Sequence, residues 1–280
     1  MPGQSPTVRR RRLGNELRRL RENAGLTIEQ VAKTLECSGS KVSRIETAHV
    51  GATTRDVRDM VELYGVTGRE RDELIQIARE ARRRGWWYAY SDLPVATYVG
   101  LEAAATSTRM YTGFLVPGLL QTAEYAREAL HAIRPDLGPE EIERRVEVRL
   151  ARQPLLSQDD PLTLWAVLDE GALRRVIGGQ EVMRRQLLRM AEATALPNVT
   201  LQVLPFKTGA HAGLDGPFTI IGFREPADHD VVFIENTTSD LYLEDSDAIR
   251  RYSLLFEHIC AAADKPDDSA AFFASVAKEL

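Results

Sequence analysis

Cysteine is almost missing from this 280-residue chain, which has only Cys37 and Cys260, far apart in sequence. Two distant thiols exclude a disulfide framework, and neither has a second ligand pair nearby, so no zinc site is indicated. Both read as small buried apolar residues. Lysine is scarce too, at five positions among 36 basic residues, so part of the arginine excess reflects composition rather than function. No run of about 18 apolar residues occurs, which excludes a membrane-spanning helix. The opening MPGQSPTVRRRRLG has no apolar core behind its basic stretch, so no secretory leader is expected and the expected location is the cytoplasm, on the nucleoid. No internal repeat or low-complexity tract is present.

What is there suits a globular protein of one large domain or a small one joined to a medium one: 44% apolar and 28% charged residues. The net charge of -5 hides an asymmetry, because residues 1–90 hold 18 Lys and Arg against 12 Asp and Glu, while the rest hold 18 against 29. A basic head on an acidic body suits a first domain that meets a polyanion.

From Leu13 to about Arg84 the pattern predicts five short helices. Leu13, Leu17 and Leu20 repeat at helical spacing and Gly25 follows as a stop. Thr27 with Gln30 forms a capping box for TIEQVAKTL, and Ser38 caps a helix running through Glu46. Val57, Met60, Val61 and Tyr64 stripe a fourth helix, closed by Gly65. Thr67 with Glu70 makes a capping box for a fifth, carrying Leu74, Ile77, Ala78 and Ala81. The segment RRRGWWYAYSDLP breaks the pattern, which places the domain boundary near Gly85. The expected divisions are a basic arm over 1–12, a DNA-binding domain over 13–84, an aromatic linker over 85–98 and an α+β sensor or partner-binding domain over 99–280.

The segment TIEQVAKTLECSGSKVSRIE, Thr27 to Glu46, carries the functional reading. A helix-turn-helix needs a small residue where its two helices cross and apolar residues at fixed offsets around it. Ala32 fills the small position and Val31, Leu35, Cys37, Val42 and Ile45 fall on the inward offsets. Lys33, Ser38, Ser40, Lys41, Ser43 and Arg44 point outward. These residues resemble the Cro and phage-repressor (XRE-type) helix-turn-helix family over residues 13 to 80. The resemblance implies a third helix in the major groove, with Ser38, Gly39, Ser40 and Arg44 as base readers and Thr27, Lys41 and Arg55 as phosphate contacts. Independently, an arginine can fork onto O6 and N7 of guanine. The turn position usually held by glycine is Glu36, at a cost of about 1 kcal/mol if the backbone there is left-handed. Arg9 to Arg12 read as a solvated tail or as an arm that adds phosphate contacts.

Beyond the boundary, helices are expected over 99–110, 119–132 and 139–151. Strands are expected over 162–168, 199–205, 218–223 and 230–236, with two helices between the first pair, then a helix over 245–263 and a short terminal one. The fold class is thus mainly α plus α+β, with a small mixed or antiparallel sheet. The motifs VPGLLQT with Tyr125, RLARQ, LDEGALRR and LPFKTGAHAG, read together, resemble the C-terminal region of the actinobacterial WhiJ-type antitoxin-like regulators. That resemblance implies a small acidic partner protein and no established catalytic residues. Read from the residues, Gln121 and Tyr125 share a helix face, and Arg149 and Arg152, followed by Gln153, can clamp a carboxylate, a phosphate or an acidic partner, or form an internal salt-bridge network. His211 lies among Gly209, Gly213 and Gly216, either in a loop that lets backbone approach a ligand or in a plain turn. His229 reads as a solvated turn rather than a metal ligand, and Trp86, Trp87, Tyr88 and Tyr90 as packing between domains rather than a ligand cage.

Competing functions lack their chemistry. Ser38 and Lys41 spell S-x-x-K, but on the exposed start of a recognition helix. A self-cleaving repressor needs a poised Ser and Lys, and beyond residue 84 the only lysines are Lys207, Lys265 and Lys278, with no Ala-Gly bond in the linker. Asp169 and Glu170 have no nucleophile, metal set or nucleotide loop beside them. The expectation is a DNA-binding transcriptional regulator without catalytic residues, metal or cofactor. It acts as a homodimer on a palindromic double-stranded operator and is modulated through its second domain by a small acidic partner or, alternatively, by a small molecule alone.

Overall fold

The computed structural model describes residues 6–82, 85–90, 92, 93, 95–225, 228–237 and 239–280. The chain divides into two compact units, Met1–Ala104 and Ala105–Leu280.

The first unit begins with helix α1 (Pro6–Asn23), so Arg9 to Arg12 lie in a helix and not in a free arm; residues 1–5 of the expected arm fall outside the described residues. Helices α2 (Ile28–Thr34), α3 (Gly39–Glu46), α4 (Thr54–Leu63) and α5 (Gly68–Glu80) follow. Their apolar stripes meet in one core, with Leu13, Leu17, Val31, Ala32, Val42, Ile45, Val57, Met60 and Leu74 all buried. The chain stops α2 and α4 at turns and restarts by capping. The Thr27 and Gln30 box is present, whereas Thr67 makes no side-chain cap; the second box is Thr53 with Asp56 at the start of α4. Thr67 is displaced because Gly68 takes a left-handed backbone (φ 63) at the first helical position.

The boundary lies past the expected one. A 3-10 helix over Trp86–Tyr90 and helix α6 (Ala96–Glu102) belong to the first unit. Gly100 shows why 85–98 is no linker, since a methyl there would lie 2.3 Å from Thr7 Oγ1 and 2.9 Å from Trp87 Nε1. Trp86 stands edge-on to both Trp87 and Tyr90.

The second unit is built on six strands: β1 (Ser107–Thr112), β2 (Thr163–Asp169), β3 (Val199–Leu204), β4 (Phe218–Gly222), β5 (Val231–Ile234) and β6 (Leu241–Leu243). Their order is β3-β2-β1-β4-β5-β6, with β1, β2 and β3 parallel and the remainder antiparallel, so the sheet is mixed. Parallel neighbours need crossovers. These are α7 (Ala123–Ile133) with α8 (Pro139–Arg152), then α9 (Glu170–Arg174) with α10 (Gln180–Ala193). Helices α11 (Ser246–Ala262) and α12 (Pro266–Glu279) close the chain. One sheet face packs Leu164, Ala166 and Leu168 against Leu187, Met190 and Phe273, and the other packs Tyr111, Val167 and Ile220 against Phe256 and Ile259. The expected helix over 99–110 is half wrong: β1 begins at Ser107. Its six residues, STRMYT, show no clean alternation, and β2 and β4 on either side hold it as a strand. Among the described residues no helix is long and apolar enough to cross a membrane.

Candidate nucleic-acid interface

The outward face of the first unit centres on α3. Thr27 Oγ1 accepts from Gln30 N (3.2 Å) while Thr27 N donates to Gln30 Oε1 (2.8 Å), which sets the start of α2. Cys37 N donates to Ala32 O (2.9 Å) across the turn, where Glu36 is left-handed at φ 50, the strain expected at that position. Ser38 Oγ accepts from Lys41 N (3.2 Å) and so caps α3, with Ser40 Oγ 3.1 Å away. This use of the hydroxyl accounts for the S-x-x-K spacing as a cap. Val42 and Ile45 turn inward, and Ser38, Ser40, Arg44 and Thr47 stay exposed in one stripe, with Gly39 half-buried at its head. Arg44 Nε donates to Ser40 O (3.3 Å) with the rest of its fork in solvent. Arg55 is almost fully exposed near Asp59 (3.6 Å).

Lys41 differs from the expectation of a free phosphate contact. Its Nζ donates to Asp56 Oδ1 at 2.6 Å, which ties α3 to the start of α4. Burial pushes the Asp56 carboxyl up, but the hydrogen bonds from Lys41 and Thr53 outweigh it and hold the group below its ordinary value.

Two features that position α3 escaped the sequence reading. Arg21 donates from Nε to Glu46 Oε1 (2.7 Å) and from Nη2 to Glu46 Oε2 (2.9 Å), with Nη1 on Leu26 O (2.9 Å); both charged side chains are buried. The fork anchors the last turn of α3 to α1. A signal did exist: Arg21 follows Leu17 and Glu46 follows Val42 by four residues, so both charges sit at inward offsets. Beside them the Tyr64 hydroxyl is buried with no partner among the described residues, and burial and the Glu46 carboxylate push its ionisation up. The second feature is Gly14, where a methyl would lie 2.7 Å from the carbonyl oxygens of Ile45 and Glu46, so α1 and α3 touch backbone to backbone.

In the second unit, the residues expected on a partner surface form an internal knot instead. Gln121 is buried; its Nε2 donates to Val116 O (2.7 Å) and its Oε1 accepts from Arg149 Nη1 (2.7 Å). Gln153 Nε2 donates to Gln121 O (2.6 Å), and the buried Tyr125 OH accepts from Val116 N (3.2 Å). Gln186, fully buried, grips the same loop through Thr122 N (2.7 Å) and Leu120 O (2.8 Å). Arg152 is buried with its guanidinium against Gly118. Burial and the neighbouring Arg152 push Arg149 down to about 10. The backbone polar groups of the 116–122 loop need partners away from water, and these side chains supply them. VPGLLQT and RLARQ are therefore scaffolding: Gln121, Tyr125 and Arg152 are buried and Gln153 is half-buried, rather than set on the docking face expected for them.

His211 caps a turn that lies over the ends of β1 and β2. Its Nδ1 accepts from Gly213 N (3.1 Å), its Nε2 lies 3.7 Å from Asp169 Oδ2, and its ring is edge-on to Tyr111. A methyl at Gly213 would meet the Tyr111 ring at 2.5 Å, so the glycine serves close packing of the loop. Among the described residues no cluster of three metal-ligating side chains occurs.

With this geometry in hand, residues 12–74 match a helix-turn-helix domain and residues 95–275 match a domain of unknown function (DUF5753). No curated protein and no solved structure matches. The helix-turn-helix domain supports a DNA-binding regulator as the class of the molecule. The chain belongs to the DUF5753 family, whose domain spans more than half of its length.

Proposed function

We propose that the chain is a sequence-specific transcriptional regulator of the XRE type. It inserts α3 into the major groove, with Ser38, Gly39, Ser40 and Arg44 against base edges and Thr27 and Arg55 on flanking phosphates. The observation that carries the reading is the exposed polar stripe Ser38, Ser40, Arg44 and Thr47 on a helix whose opposite face is locked to α1 and α4. Lys41 serves first as the strut to Asp56 and only then as part of the local positive field. The regulator acts as a homodimer on a palindrome, because one small module covers too little DNA for high specificity. The second unit is its regulatory domain, and the WhiJ-type, antitoxin-like resemblance favours a small acidic protein as the signal. The partner surface is not assigned to the Gln121 and Arg152 knot, whose polar groups are spent inside the domain.

The test is selection of bound sequences from a random duplex pool by the parent and by Arg44→Ala, with light scattering of the free protein. The parent should enrich half-sites about 10 base pairs apart, and Arg44→Ala should lose about 1–3 kcal/mol of discrimination at one base pair of each half-site. An unchanged preference in the variant refutes the groove assignment, and a monomer that selects an unrepeated half-site refutes the dimer.

A further inference from the structure

Helix α1 carries seven arginines; four meet a carboxylate, whereas Arg10 and Arg12 meet none among the described residues. Arg9 pairs with Glu80 (3.0 Å), Arg18 with Glu22 (2.9 Å), Arg19 with Glu16, and Arg21 with Glu46. Arg10 differs. Among the described residues no hydrogen bond or ion pair involves it, and its Nε is buried without a partner. The guanidinium lies over the backbone of the loop that joins α3 to α4: a methyl at Gly51 would stand 3.4 Å from Nε and 3.9 Å from Nη2, in ordinary contact with it. This loop continues from the exposed stripe of α3 through Thr47 and the exposed His49 and Val50 to the Thr53 cap of α4.

We propose that Arg10 is a backbone clamp, which takes a DNA phosphate beside the α3–α4 loop while α3 lies in the groove. The inference rests on the DNA-binding reading above. A guanidinium offers a planar fork of donors matched to two oxygens of a phosphate. Here one edge of the fork is held against protein with its Nε buried and unsatisfied, while the side chain as a whole is only partly buried. Burial lowers the pKa of the group, which marks a charge that its own protein leaves uncompensated. With no hydrogen bond or ion pair to Arg10 among the described residues, its terminal nitrogens are left to a phosphate arriving over the loop. The clamp lies three helical turns from Arg21 along α1, so the helix that anchors the recognition helix also grips the backbone beyond its end.

The experiment measures binding of the full-length chain to a 30-base-pair mixed-sequence duplex by fluorescence anisotropy across a potassium chloride series. The proteins are the parent, Arg10→Gln, Arg10→Lys and Arg18→Gln, with a thermal melt of each. The expected result for Arg10→Gln is affinity about tenfold weaker and a slope of log affinity on log salt shallower by about 0.9, one phosphate's worth. Arg10→Lys should recover the slope but only part of the affinity, and Arg18→Gln should keep the parental slope. Arg10→Gln with a parental slope overturns the clamp whatever its affinity, since a packing defect alone releases no counterion. An equal fall in slope for Arg18→Gln overturns it as well, because the effect is then one of net charge. Should Arg10→Gln fail to fold, Arg10→Lys decides: parental affinity overturns the two-pronged contact. A parent that does not bind the duplex overturns the DNA reading itself, a result separate from any of these.

Discussion

Removal of the Glu46 carboxylate tests whether the buried ion pair holds the recognition helix. In the parent, Arg21 has three bonds: two to Glu46 at 2.7 and 2.9 Å and one to Leu26 O at 2.9 Å, with Glu22 a distant fourth neighbour at 3.5 Å. Glu46→Ala removes the two strongest and leaves a guanidinium that is about one-tenth exposed. Breaking a buried pair from one side costs about 3–5 kcal/mol, and the surviving bond to Leu26 puts the expected cost near about 3 kcal/mol. Against a typical total of about 5–15 kcal/mol, that is a large share of the first unit's stability. Replacing both partners, Arg21→Met with Glu46→Met, removes charge and desolvation penalty together and should return to within about 1 kcal/mol of the parent, with the Leu26 carbonyl as the residual cost. The assay is urea unfolding of the full chain. Circular dichroism is read beside tryptophan fluorescence, because a chain of two units need not unfold in one step. Trp86 and Trp87 report on the first unit and Trp165 on the second. A Glu46→Ala cost below about 1 kcal/mol, or a double variant as unstable as the sum of the singles, refutes the reasoning.

Three further outcomes follow from the same geometry. Glu36→Gly relieves a left-handed backbone at φ 50 and should raise stability by about 1 kcal/mol in thermal or urea unfolding. Tyr64→Phe removes a buried hydroxyl with no partner among the described residues and should be neutral or stabilising by up to about 1 kcal/mol, where a lost hydrogen bond would destabilise. Asp56 is held below its ordinary value by Lys41 and Thr53, so its contribution is present above about pH 4 and is lost as pH falls through the depressed folded value; Lys41→Met should therefore flatten the acid limb of a stability-versus-pH curve.

The helix-turn-helix domain was legible because its signals are local. The Thr27 and Gln30 box, the Ser38 cap, the left-handed Gly25 and Gly65 stops and the strained Glu36 each act within about four residues of chain. Helical spacing then dictates which of Val42, Ile45, Ser40 and Arg44 turn in or out. The same holds for α8, α10 and the strands β2, β3, β4 and β5, whose apolar runs are strong enough to name their type. Where local signals are weak or crossed, only the tertiary structure decided. β1 is a strand because β2 and β4 pair with it, and residues 86–102 join the first unit because Gly100 lets Trp87 and Thr7 come close. Lys41 is a strut because Asp56, fifteen residues on, reaches it. Arg21 finds its partner 25 residues away, and the Gln121 loop draws on partners 28, 32 and 64 residues distant. Sequence periodicity assigns a face to each of those polar residues, but whether that face meets water, DNA or another helix is set by contacts between segments that the chain brings together only on folding.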